Sequence, residues 1–243
     1  MFAIFKKEIR SFFTTPTGYL VVGLFLLLNG LFLWVFEGPY NILEYGFADL
    51  SNFFGMAPWI FLFLIPAISM RSFSEERKLG TLELLYIKPI SLWQTVLGKF
   101  MGTFALVLIA LLPTLLYVYA IHELGTTPGN LDLGLVWGSY FGMLFLILTF
   151  SAVSLFVSAL SENQIVAFLI GVLACFILYY GFDSLASLFE NGAWAYNIRS
   201  LGMKAHYEAM ANGVLDTRNL VYFASVGYLF LYLTQVYLKK LNR

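Results

Sequence analysis

Few side chains in this sequence have both the type and the company needed for bond-making chemistry. Two histidines, His122 and His206, one cysteine, Cys175, and the serines Ser151, Ser154 and Ser158 come first. A nucleophilic hydroxyl or thiol needs a neighbouring base. These serines lie in an apolar stretch without His, Asp or Lys, where hydroxyls usually serve packing and bonding between helices. His122, beside Glu123, reads as a polar helix terminus, and His206, in KAHYEAM, as a solvated helix position. A lone cysteine makes no internal disulfide. Neither an H-E-x-x-H pair nor a G-x-x-x-x-G-K-[ST] phosphate loop occurs, so no catalytic, cofactor or metal site is expected in this chain.

The polar residues that do cluster lie in one stretch, MRSFSEERKLGTLELLYIKPISLWQTVLGKF, residues 70–100. Its charges are Arg71, Glu75, Glu76, Arg77, Lys78, Glu83, Lys88 and Lys99. Ser74 is placed to cap a helix whose first turn holds Glu75 and Glu76, where carboxylates suit the positive helix end. Gly80 offers a break. A second short helix over Thr81–Ile87 carries Leu82, Leu85 and Tyr86 at helical spacing and is closed by Pro89. Such a helix suits a groove on a partner; it equally suits a membrane surface with ordinary basic flanking charge.

The elements that position this stretch follow from composition. Of 243 residues, 60% are hydrophobic and 12% charged, with a mean hydropathy of +0.81. A water-soluble domain carries about a quarter charged residues, so lipid must be the solvent for much of the chain. Crossing about 30 Å of hydrocarbon takes roughly 20 apolar residues. Six windows qualify, near 19–36, 53–70, 100–121, 133–160, 165–182 and 220–237, and none contains Lys, Arg, Asp or Glu. The fold class expected is therefore an all-α integral membrane protein of six transmembrane helices in a single domain, 1–243. No cleavable signal is visible at the start.

With the N-terminus placed in the cytoplasm, eleven of the fourteen basic residues fall on that side; Arg199, Lys204 and Arg218 do not. The excess fixes the orientation, with both termini inside. Trp and Tyr cluster near the window ends as interfacial belts do. Residues 2–14 place Phe2, Phe5, Ile9, Phe12 and Phe13 at helical spacing, with Lys6, Lys7 and Arg10 elsewhere on the wheel. They read as an amphipathic helix lying in the inner interface. Ser91-x-x-Gln94 and Ser161-x-x-Gln164 match capping boxes ahead of the third and fifth spans. Pro66 and Pro113 are expected to kink their spans, and Gly23, Gly30, Gly142 and Gly171 to allow close packing. Asn29 is the one amide deep in the first span; interhelical bonding is its default reading and a place on a translocation path its alternative. The outer segment 183–219 is expected to form one or two short helices on, or dipping into, the outer leaflet.

The string EERKLGTLELLYIKPIS closely resembles the signature of ABC type 2 (exporter-class) permeases, in which E-x-x-x-G-T-L-E-x-L-x-x-x-P follows the second span. The matching positions are Glu76, Gly80, Thr81, Leu82, Glu83 and Pro89. The layout of the whole chain is similar too, and is most like that of the gliding-motility-associated permease subunit of Bacteroidota. The resemblance implies that segment 74–89 holds a coupling helix seated in a separate ATPase subunit, which would bind ATP and Mg. It further implies two ATPase copies, a second permease subunit, identical or related, and a bacterial inner-membrane location, with room for a periplasmic subunit. Membrane lipid is the remaining partner, and nucleic acid is not one. On this reading Arg77, Lys78 and Glu83 would register the ATPase contact, and Leu82, Leu85 and Tyr86 would supply its buried area. A non-transporting scaffold that docks a cytoplasmic partner is the alternative. An intramembrane enzyme is a poor third, since no ionisable pair lies in any window.

Overall fold

The computed structural model describes residues 1–83, 90–125, 131–189 and 192–241, and among them it is helical without strands. Helix α1 spans Phe2–Thr14. Helix α2, Pro16–Gly30, continues through a π turn, Leu31–Val35. A short α3, Ile42–Tyr45, leads to α4, Ser51–Lys78. Helix α5, Leu92–Leu111, passes through a 3₁₀ turn at Leu112–Thr114 into α6, Leu115–Leu124. Helix α7 is Leu133–Leu160. Helix α8, Gln164–Phe176, runs through a second π turn into α9, Phe182–Ala186. Then come α10, Gly192–Arg199, α11, Met203–Ala211, and α12, Thr217–Leu241. Six of these stretches are long and apolar enough to cross a membrane: Pro16–Val35, Ser51–Lys78, Leu92–Leu124, Leu133–Leu160, Gln164–Ala186 and Thr217–Leu241.

The bundle is organised around α4 and α7. Their apolar windows are 67% and 72% buried, against 22–33% for the other four, so these two form the centre and the rest surround them. Helix α2 shows what a peripheral helix contributes: only one stripe, Gly18, Val21, Phe25 and Asn29, is buried. Phe25 of that stripe stacks on Phe61 of α4 with ring centroids 5.3 Å apart. Helix α12 does the same with Phe223, Gly227, Leu231, Thr234 and Leu238. Between helices in lipid, close approach depends on small residues. Gly142 and Gly171 serve this role, since an added Cβ would lie 3.0 Å from Met210 Cβ and 3.1 Å from Pro66 Cβ; Gly23 and Gly30 face open space instead.

Several local expectations change in the folded chain. Pro113 falls in the 3₁₀ turn that divides the third span, whereas Pro66 sits inside an unbroken α4 together with Pro58. Ser91 caps α5 as expected, accepting from the Gln94 N–H at 3.2 Å. Ser161 does not cap α8; Asn163 does, accepting from Ile165 N–H at 2.9 Å, while Ser161 Oγ accepts from Asn163 N–H. Ser74 caps nothing. Helix α4 runs straight through it to Lys78, and the Ser74 hydroxyl donates back to the Met70 carbonyl. Back-bonding of this kind removes the competition that makes serine a helix end in water. Glu75 and Glu76 thus lie at the C-terminal end of a helix, where Arg77 and Lys78, not they, suit the dipole.

At the face of the bundle opposite the N-terminus, α11 is part of the core. Met203, Tyr207 and Met210 are buried, and Tyr207 Oη donates to the Phe54 carbonyl at 2.7 Å. Burial raises that phenol above its ordinary range, so it stays a donor. Helix α10 has no buried residue and lies on the surface.

Candidate functional site

The end of α4 is a Schellman turn. Thr81 N–H donates to the Glu76 carbonyl at 2.9 Å and Gly80 N–H to the Arg77 carbonyl at 3.1 Å. Gly80 has φ of 67°, the left-handed conformation this motif requires and glycine best provides. The Thr81 hydroxyl adds a bond to the same Glu76 carbonyl at 3.3 Å. Leu82 then turns inward, 8% exposed, into a cluster with Phe73, Val96, Phe100, Leu155 and Leu238. The E-x-x-x-G-T-L spacing therefore has a local physical reason: a helix end, its left-handed stop, the residue that closes the motif and an apolar anchor.

Glu76 and Arg77 face their own chain. Arg77 Nη1 donates to the Ala159 carbonyl at 2.7 Å and Nη2 to Glu162 Oε1 at 3.0 Å, with the guanidinium 5.9 Å from the Tyr237 ring centre. Glu76 Oε1 lies 2.9 Å from Lys99 Nζ and 3.2 Å from Lys7 Nζ. Lys99, counted in the sequence as a flanking charge, is 2% exposed and inside α5. Its ammonium also reaches Glu8 Oε1 at 3.0 Å and the Ser72 carbonyl at 2.6 Å. Lys99 is thus paired with two glutamates that are themselves largely buried, as a charge removed from water must be, and the exposed Lys7 adds a second cation beside Glu76.

What remains turned outward is Glu75, Lys78, Leu79, Gly80 and Glu83, with Thr81 half-buried. Leu79 is 66% exposed, a large apolar side chain beside the turn. Leu85, Tyr86 and Pro89 lie outside the described residues, and so does most of the stretch 81–87 where a second short helix was expected.

Helix α1 packs along α5. Ile4, which is buried, and Glu8 face α5, and the half-buried Phe12 and Phe13 pack against the core; Phe5 and Ile9 are half-buried, and Phe2, Lys6, Lys7 and Arg10 are exposed. Gly98 and Gly102 make the contact possible: a Cβ at either would come within 2.9 Å of Ile4 Cβ or 2.7 Å of Glu8 Cβ. The sequence carried a signal for this in Gly98-Lys99-Phe100-Met101-Gly102, a small-x-x-x-small groove with a lysine in it.

Other residues singled out in the sequence fall elsewhere. Asn29 is fully buried and donates to its own helix, at the Phe25 carbonyl 2.7 Å away, instead of across helices. His122 Nδ1 lies 3.6 Å from Glu123 Oε1 at an exposed terminus. His206 is not simply solvated; its ring nitrogens lie 2.7 Å from Asn219 Oδ1 and 2.8 Å from the Ser200 carbonyl, and it stacks on Tyr222. Ser158 does link helices: its Oγ accepts from Phe73 N–H at 3.1 Å and donates to the Met70 carbonyl at 3.0 Å. Cys175 is buried with Sγ 3.6 Å from Ser154 Oγ.

A family model described as ABC-2 family transporter protein matches residues 2–238. The chain belongs to the ABC-2 transporter family. No curated protein matches it. An ABC-2 permease is the non-catalytic, multi-pass membrane subunit of an ABC transporter, and ATP hydrolysis belongs to a separate ABC ATPase subunit. For this permease, the Schellman turn and the residues around it bring together ion pairs and backbone bonds from α1, α4, α5 and the end of α7.

Proposed function

We propose that the permease receives its ATPase subunit on the segment from Glu75 to Pro89, and that this face is cytoplasmic. What supports the reading most directly is the division of labour at the turn. Glu76, Arg77 and Leu82 tie the segment to the bundle, while Glu75, Lys78, Leu79 and Glu83 are left facing outward around a rigid corner. A docking surface that must transmit force needs both halves: side chains to grip and side chains to hold. The excess of basic residues on the N-terminal side supports an inside location for this face.

On this reading the chain sits in a bacterial inner membrane with α1 along the inner interface, pairs with an identical or related permease, and works with two ATPase copies that carry ATP and Mg. Resemblance to the gliding-motility permeases extends the proposal to a motility or secretion apparatus, with any periplasmic part contributed by another chain.

The test is co-purification of the tagged permease from native membranes in nanodiscs, with an ATPase assay of the material, for wild type and for a Leu79→Asp, Glu83→Ala variant. Both residues are exposed, so the fold should tolerate the change. Loss of the ATPase from the variant alone upholds the docking surface. An ATPase that stays bound with unchanged turnover removes it. A partner without ATPase activity would move the scaffold reading ahead.

A further inference from the structure

Against α11, at the face of the bundle opposite the N-terminus, lies a cavity of about 280 Å³. Ring carbon makes up much of its lining: Phe54 of α4, Tyr179 and Tyr180 of the second π turn, and Tyr207 of α11. Its polar lining is Ser51, Lys204, Glu208 and Asn212.

Three features mark the cavity as a built site. The π turn, Ile177–Gly181, widens the fifth span locally and brings two consecutive tyrosines to one cavity. Such turns are rare inside α-helices and recur at functional sites. Tyr180 is held by Trp59, stacked at 4.4 Å, and by the Lys204 ammonium 5.4 Å from its ring centre. Tyr179 is only 3% exposed, yet its hydroxyl has no hydrogen-bond partner among the described residues. A buried phenol normally finds one. Tyr207 beside it has, donating to the Phe54 carbonyl. Gly55 leaves part of the wall bare, since nothing stands within 4 Å of a Cβ added there.

The charges define what the cavity accepts. Lys204 pairs with Asp183 at 2.7 Å and lies 3.8 Å from Glu208. A cationic ligand would meet Lys204, whose ammonium already lies over Tyr180, and an anionic one would meet Glu208. A neutral molecule with several hydroxyls meets neither penalty. Each hydroxyl both donates and accepts, so one molecule can serve Tyr179, Glu208, Lys204 and Asn212 together. The aromatic lining calls for an apolar face on that same molecule. A sugar ring has this make-up, with hydroxyls round its edge and C–H groups on its faces. The cavity falls just under the usual small-molecule range of about 300–1,000 Å³, room for one ring and not for a chain.

We propose that this cavity binds one neutral sugar ring, a free monosaccharide or the end unit of a glycan, with Tyr179 and Glu208 as hydrogen-bonding residues. The inference is independent of the docking surface at Gly80, which lies on the other face.

The test is ligand-observed saturation-transfer NMR on the full permease in phosphatidylcholine nanodiscs, whose lipid carries no sugar. The probes are glucose, galactose, mannose and N-acetylglucosamine, then maltopentaose and chitopentaose, with alanine as a zwitterion for contrast. At least one sugar should bind wild type. Tyr179→Phe removes one hydrogen bond and should weaken that sugar about three- to tenfold. Gly55→Leu should abolish its signal by filling the cavity, whereas Gly23→Leu, at another glycine facing open space, should leave it unchanged. Tighter binding of a pentasaccharide than of its monomer assigns the site to a glycan end, and the reverse assigns it to a free sugar.

The proposal is overturned if no sugar binds, whether or not alanine does. It is also overturned if Gly55→Leu binds like wild type, or if Gly23→Leu loses the sugar as well. A Gly55→Leu protein that melts below wild type is set aside. Tyr179→Phe then decides, and unchanged affinity in that variant overturns the site.

Discussion

Lys99 Nζ lies 2.9 Å from Glu76 Oε1 and 3.0 Å from Glu8 Oε1, a contact between residues 91 positions apart in sequence. These contacts join an N-terminal helix of mixed character to the base of the central helix α4.

Removing the ammonium alone should be expensive. Lys99→Met leaves two carboxylates facing each other with little water, and breaking one side of a buried pair typically destabilises by about 3–5 kcal/mol. Restoring neutrality with Glu8→Gln and Glu76→Gln should recover most of that loss. Thermal unfolding of the detergent-solubilised variants would check both steps, and a Lys99→Met protein as stable as wild type would contradict the geometry.

Gly80→Ala should cost about 1–2 kcal/mol, because the left-handed conformation penalises a Cβ there. Gly80→Asn should cost less, since asparagine tolerates that region. The comparison of melting temperatures separates backbone strain from lost contacts, as nothing lies within 4 Å of an added Cβ at this site.

Ser158→Ala should cost about 1–3 kcal/mol. Its hydroxyl serves Phe73 N–H and the Met70 carbonyl inside a dry interface, and an unmet buried polar group costs about that much. Faster hydrogen exchange at the Phe73 amide is the specific sign to look for.

Tyr207→Phe removes the bond to the Phe54 carbonyl while keeping the ring, so about 1 kcal/mol should be lost. Protease susceptibility of the chain between α10 and α12 should rise, while the α1–α5 contact on the other face stays as it is.

Much of the fold was legible because lipid imposes a simple rule: long apolar runs without charge become helices. The six spans and the amphipathic start came through on that rule, and the signature at Glu76–Glu83 was readable because a left-handed glycine after a helix is a local event. Residues whose state depends on distant partners were not readable. Lys99 looked like a solvent-seeking flank, and its burial needs Glu8 and Glu76 brought to it. Ser74 looked like a cap because in water it would be one; inside a packed helix its hydroxyl bonds backwards. The bonds of Arg77 to the Ala159 carbonyl and Glu162 likewise depend on residues more than eighty positions away. Helix α11 looked like a surface helix because its apolar residues, Met203, Tyr207 and Met210, are diluted among charges, although they share one face.

The Schellman turn at Gly80 has a consequence for how quickly and how tightly anything could bind there. Up to Glu83 the path of the chain is settled before any encounter, by backbone hydrogen bonds and by Leu82 seated in its cluster. A protein that meets this corner need not freeze a wandering loop, so the entropy lost on association is small and more of the contact energy appears as affinity. Weak, exchangeable contacts at the outward side chains would then suffice to hold a partner through repeated cycles of attachment and release.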